Sequence, residues 1–187
     1  MTFLPSLPDS AKLLDVFRAY PDTARPLVDY HEALMRGPSP LTVAERELVA
    51  AYVSGLNSCD YCYGIHSVTA ERFGVSEPTL SGLIEDLDTA DVDDRMRPLL
   101  RYVGKLTSSP ARVSPADAEA VLAVGWEEQA LHDAVSVCAL FNFMNRFVNG
   151  LGITADDDYS AVSGSRLADH GYAGLKKLIS NLGAPLQ

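Results

Sequence analysis

Residues 57–74, N-S-C-D-Y-C-Y-G-I-H-S-V-T-A-E-R-F-G, hold Cys59, Cys62 and His66. On a helix at about 100° per residue, Cys59 stands at zero, Cys62 about 60° to one side and His66 between them. The three share a face that Ala70 and Phe73 extend, so the spacing predicts a helix over 59–73 with this stripe turned inward. Asn57 and Ser58 are candidate N-caps, and Gly74 is a candidate C′ residue. Both thiols then lie in the first two turns. A helix N-terminus carries about half a positive charge and favours a thiolate. Positions i and i+3 of a helix have Cα atoms about 5 Å apart, within the span of a disulfide. Such a pair can cycle between dithiol and disulfide without rebuilding the backbone. His66, one turn beyond Cys62, can move protons near neutral pH.

Upstream, Thr42 and Glu45 form a capping box that opens a helix over 42–56. Val49, Tyr52, Val53 and Leu56 make its apolar face, and Glu47, Ala50, Ala51 and Ser54 make a small-residue face that another helix can approach closely. A short connection to the cysteine helix favours antiparallel packing, which would bring Glu47 back alongside the thiols. Glu47 reads equally as a solvated glutamate beside Arg46 on a surface helix, and periodicity alone does not separate the two. Gly37-Pro38-Ser39-Pro40 stops the helix before it.

Further out, the apolar pattern predicts helices over 10–20, 23–36, 77–87, 95–106, 114–124, 127–150 and 165–182. The segment 134–148 is apolar round most of its circumference, so its helix should be central. Cys138 on it reads as a small buried hydrophobe. Asn142, Asn145, Arg146 and Asn149 on the same helix need partners, at the pocket or at a subunit interface. The acidic run Asp86, Asp88, Asp91, Asp93 and Asp94 lacks the glycine and terminal glutamate of a calcium loop. It reads as a solvated loop. No strand pattern emerges. The expectation is all-α, one domain over 1–187, with the chemistry in 42–74 and a second set of helices over 92–182.

Composition narrows the partners. A net charge of −10 argues against nucleic acid or an anionic membrane as the main partner. The N-terminal residues show no signal peptide, and the longest apolar run is interrupted by Asn142, Asn145 and Arg146, so no membrane span is expected. Three cysteines imply no disulfide framework, and a reducing cytoplasm is the expected compartment, where a C-x-x-C is redox-active or metal-binding more often than structural. Zinc would want a fourth ligand, for which no matching spacing exists. A thioredoxin-like motif needs a βαβ context, and covalent haem needs a histidine directly after the second cysteine, where Tyr63 stands. The residues favour dithiol redox chemistry, with a structural pair of core cysteines as the plainer alternative. No cofactor and no metal is expected.

The segment 34–74, L-M-R-G-P-S-P-L-T-V-A-E-R-E-L-V-A-A-Y-V-S-G-L-N-S-C-D-Y-C-Y-G-I-H-S-V-T-A-E-R-F-G, resembles the AhpD-like alkylhydroperoxidases of the carboxymuconolactone decarboxylase superfamily. Phe141 to Gly152, F-N-F-M-N-R-F-V-N-G-L-G, is similar to the peroxidase-related branch. The family pattern of glutamate, cysteine, cysteine and histidine is met by Glu47, Cys59, Cys62 and His66. The resemblance implies an all-α bundle assembled as a homo-oligomer, such as a hexamer built from trimers or dimers. It implies a peroxidase acting on small hydroperoxides, with Cys62 the attacking thiol, Cys59 the resolving thiol, His66 carrying protons and Glu47 orienting His66 or passing protons through water. It further implies an external dithiol reductant, a lipoyl or thioredoxin-like protein. In alkylhydroperoxidases proper a histidine often precedes the second cysteine; here Tyr61 takes that place, which implies a simpler proton relay. Two other functions fit the same fold: a decarboxylase or lactone-processing enzyme, whose relatives typically do without the cysteine pair, and a non-enzymatic thiol switch.

Overall fold

A computed structural model describes residues 2–180. Among them the regular elements are helical: α1 (Leu13–Ala19), α2 (Pro21–Arg36), α3 (Val43–Leu56), α4 (Asp60–Arg72), α5 (Glu77–Glu85), α6 (Met96–Ser108), a 3-10 turn (Pro110–Arg112), α7 (Pro115–Ala123), α8 (Glu128–Gly150) and α9 (Asp157–Ser180). None of these helices is long and apolar enough to cross a membrane. The described helix boundaries fall within two residues of the expected ones at all but two points. The first helix begins at Leu13, three residues after the expected start. The last helix begins at Asp157, well before residue 165, and Gly171 at φ 59° divides it. The end expected at 181–182 lies outside the described residues. Helix α4 begins at Asp60, so Cys59 is its N-cap residue and not part of its first turn. Asn57 caps the end of α3 instead, and Ser58 takes a left-handed φ of 51°.

α3 is the axis of the bundle. The Thr42–Glu45 capping box forms as expected: the Thr42 backbone N–H donates to Glu45 Oε2 at 2.6 Å and Glu45 N–H donates to Thr42 Oγ1 at 3.2 Å. Every residue from Arg46 to Ser54 is buried, against α4 on one side and α8 and α6 on others. Full burial, not a one-sided stripe, explains why both the Val49 face and the small-residue face pack. Leu56 is the exception to the predicted apolar face, half-exposed at the helix end.

α4 is held between α3 and α9. Gly164 of α9 permits that approach, because a Cβ there would fall 2.7 Å from both Ile65 O and Val68 Cβ. The inward stripe of α4 runs through Cys62, Ile65, His66 and Ala70 but stops before Phe73, which is 38% exposed at the C-cap. One arginine organises the acidic loop between α5 and α6. The Arg97 guanidinium donates to the carbonyls of Leu87, Asp88, Ala90 and Val92, so the backbone wraps the cation while the aspartates stay in solvent.

Candidate active site

The two readings of Glu47 separate at once: its carboxylate is fully buried and solvates nothing on the surface. Oε2 accepts from His66 Nδ1 at 2.7 Å and Oε1 from Arg36 Nη1 at 2.6 Å. Burial pushes the Glu47 carboxyl up; His66 and then Arg36 outweigh it, and the net shift is downward, so the group stays ionised. A carboxylate only accepts hydrogen bonds, so His66 carries a proton on Nδ1 and leaves Nε2 free to exchange one. The ring stands edge-on to Phe141, with centroids 4.5 Å apart. The contact fixes its plane.

Arg36 was not legible as a site residue. It is the last residue of α2, and its position there is set by Arg46, the neighbour that the surface reading of Glu47 placed in solvent. Arg46 is buried; its Nη1 donates to Leu34 O at 2.7 Å and Gly37 O at 2.9 Å, carbonyls at the end of α2. One arginine thus pins the helix end and the other reaches the carboxylate. The Arg36 guanidinium also donates to Leu167 O at 3.2 Å and lies over the rings of Tyr172 and Phe73.

Cys59, Cys62 and Cys138 are all free and buried. The neighbouring Cys62 thiol, above all, lowers the Cys59 thiol to about 7 against the opposing effect of burial, and Asn145 lowers it further. Cys62 is pushed well above the usual thiol range, first by its interaction with Cys59 and then by burial. The pair therefore loses its first proton at Cys59 and keeps the second on Cys62. Cys59, the thiol that is lowered, is the N-cap residue of α4 and stands outside its first turn. Since the thiolate fraction grows as pH rises through 7, the ultraviolet thiolate absorbance of the reduced protein should show its first midpoint near pH 7. Asn145→Ala should move that midpoint upward; an unmoved midpoint would remove Asn145 from the pair.

Cys62 and His66 open on a cavity of about 70 Å³. Its walls are Leu13, Leu14 and Phe17 of α1, Val28 and His31 of α2, Tyr61 and Ile65 of α4, Phe141 and Met144 of α8, and a face of α9 from Tyr159 to Leu175. Cys59 does not line it. It sits behind Cys62, fully buried. The Tyr61 hydroxyl pairs with the Tyr159 hydroxyl at 3.2 Å, and burial first of all holds the Tyr61 phenol well above its ordinary range. His31 is a second imidazole in the wall. Burial above all pushes it down to about 4, against the opposing bond to Leu27 O, so it is neutral at pH 7. Sequence reading passed over it, although its spacing from Leu27, Val28, Leu34 and Met35 sets it on the buried stripe of α2.

The polar residues of α8 serve the dithiol from below and do not line the cavity. Asn145 is buried; its Nδ2 donates to Ser54 Oγ at 3.0 Å and its Oδ1 accepts from Asn57 Nδ2 at 2.9 Å. Asn57 also donates to Asn142 Oδ1 at 3.1 Å, and Arg146 Nη1 donates there at 2.9 Å. This chain ties the α3–α4 turn that carries Cys59 to α8. Asn149 is exposed. Cys138 sits in the core as expected, its sulfur 3.3 Å from Thr107 Oγ1.

Residues 21–103 match the carboxymuconolactone decarboxylase family; they include Arg36, Glu47, Cys59, Cys62 and His66. No curated protein matches the chain. Among solved structures, the alkylhydroperoxidase AhpD core of an uncharacterized peroxidase-related protein from Ralstonia eutropha is 28% identical, with a TM-score of 0.71 over 80% of this chain and 78% of that one. An uncharacterized peroxidase-related protein from Silicibacter sp. is 22% identical, with a TM-score of 0.71 over 84% of this chain and 92% of that one, a likeness of fold.

Proposed function

We propose that this chain, which belongs to the AhpD-like and carboxymuconolactone decarboxylase superfamily in its peroxidase-related branch, is a dithiol peroxidase that reduces small alkyl hydroperoxides and hydrogen peroxide. The observation that carries the reading is the division of labour in the pair. Cys62 faces an apolar cavity beside His66, while Cys59 lies behind it and holds the first negative charge.

The steps follow from that arrangement. The Cys59 thiolate takes the Cys62 proton as a hydroperoxide enters. The Cys62 sulfur attacks the terminal peroxide oxygen, the O–O bond breaks, and Cys62 becomes a sulfenic acid. The departing alkoxide takes a proton from His66 Nε2, leaving as an alcohol, or as water from hydrogen peroxide. Glu47 steadies the imidazolium through Nδ1, and Arg36 keeps the buried carboxylate in place. Cys59 then attacks the Cys62 sulfur. The S–S bond forms, and hydroxide leaves with the Cys59 proton as water. His66 regains its proton from solvent. An external dithiol, borne by a lipoyl or thioredoxin-like protein, reduces the disulfide and is itself oxidised. The catalytic set is Cys62, Cys59 and His66, with Glu47 and Arg36 as positioning residues.

The direct test is turnover of tert-butyl hydroperoxide with dihydrolipoamide in excess. Many peroxides consumed per chain is the expected result. Oxidation once per chain with no recycling by any dithiol would contradict the enzymatic reading and leave a thiol switch.

A further inference from the structure

The cavity carries polar side chains of α9 that peroxide reduction does not use. Arg166 of α9 lines the cavity, half-buried. Among the described residues no hydrogen bond or ion pair engages its guanidinium. No carboxylate lines the wall around it, although the chain as a whole carries a net charge of −10. One turn earlier on the same helix face stands Ser163, only 4% exposed, also in the wall; among the described residues its hydroxyl has no partner. The Tyr172 hydroxyl, across the Gly171 break, is buried and unpartnered too. Buried hydroxyls without partners are costly and uncommon. A half-buried cation in the same wall, with no carboxylate lining the cavity, matches an anion with its own oxygen acceptors. Arginine presents a planar fork that fits a carboxylate.

We infer that the cavity takes organic hydroperoxides bearing a carboxylate, with Arg166 and Ser163 holding the carboxylate while the peroxide meets Cys62 on α4. The inference rests on the peroxidase reading and names its substrate class. The cavity's volume of about 70 Å³ suits a short, branched carbon body, since one water needs about 10–15 Å³ on this measure.

The experiment compares 3-hydroperoxy-3-methylbutanoate with tert-butyl hydroperoxide, which has the same reacting head without the carboxylate. The wild-type kcat/KM ratio should favour the carboxylate about ten- to a hundredfold, the size of a hydrogen bond to a charged group. Arg166→Gln should bring the ratio near one, and Arg166→Lys should keep part of it. In parallel, 3-hydroxy-3-methylbutanoate, which has no O–O bond, should slow alkylation of Cys62 in the wild type and not in Arg166→Gln. Equal kcat/KM values in the wild type, or a preference that survives Arg166→Gln, would overturn the inference. If neither hydroperoxide is consumed, the peroxidase reading fails. Protection by the hydroxy acid then still decides whether a carboxylate site exists, and absence of protection would overturn it as well.

Discussion

Replacing Cys62 by serine should reduce peroxide consumption to background, and replacing Cys59 by serine should leave a protein that reacts once and then gains oxygen at Cys62. The asymmetry is the strongest consequence of the geometry. Cys62 lines the cavity and Cys59 does not, so under the proposed peroxidase chemistry only Cys62 would meet the peroxide. Without Cys59 the sulfenic acid has no thiol at hand, and a second peroxide carries it to the sulfinic acid. Cys59→Ser also removes the sulfur that takes the Cys62 proton. The first oxidation should therefore be slower as well as unresolved. Intact-protein mass spectrometry after peroxide treatment reads the result. Added oxygen on Cys62 in Cys59→Ser is expected; an unchanged mass there, with oxygen added to Cys59 in Cys62→Ser, would reverse the assignment.

Glu47→Ala should be the most destabilising single change at the site. It removes the buried carboxylate that both Arg36 and His66 use, and Arg36 is left almost fully buried with a cation to satisfy. Its Nε already lacks a partner. Removing one member of a buried pair costs about 3–5 kcal/mol, and at about 2–4 °C per kcal/mol for a chain of this size the melting temperature should drop by roughly 6–20 °C. Glu47→Gln keeps the shape and one acceptor, so it should fold better. A melting temperature within about 2 °C of wild type for Glu47→Ala would mean that the pair is not buried in solution.

Much of this was written in local spacing. The caps at Thr42 and Ser114 and the stop at Gly37-Pro38 are local chemistry, and the helices begin and end near them. Cys62 and His66 share the inner face of α4 because four residues make one turn. Cys59 was placed inside the helix because its angle on a wheel is the same whether or not the helix has begun. The left-handed Ser58 that starts the turn one residue later has no sequence signature as strong as glycine. Arg36 and Arg166 stayed hidden for a different reason. Each acts across elements distant in sequence, Arg36 on Glu47 of α3 and Arg166 on a cavity shared by five helices. No periodicity within one helix reports such a meeting. His31 could have been found, since its spacing sets it among apolar neighbours on α2.

The claim at the centre is that Cys59 and Cys62 act as one two-electron unit. Reduced protein is titrated with hydrogen peroxide, the remaining thiols are counted, and the disulfide is mapped by peptide mass spectrometry. The account predicts that two of the three thiols disappear per peroxide and that the bond joins Cys59 to Cys62, with Cys138 still free. Loss of a single thiol, or a bond that includes Cys138 or joins two chains, would contradict it.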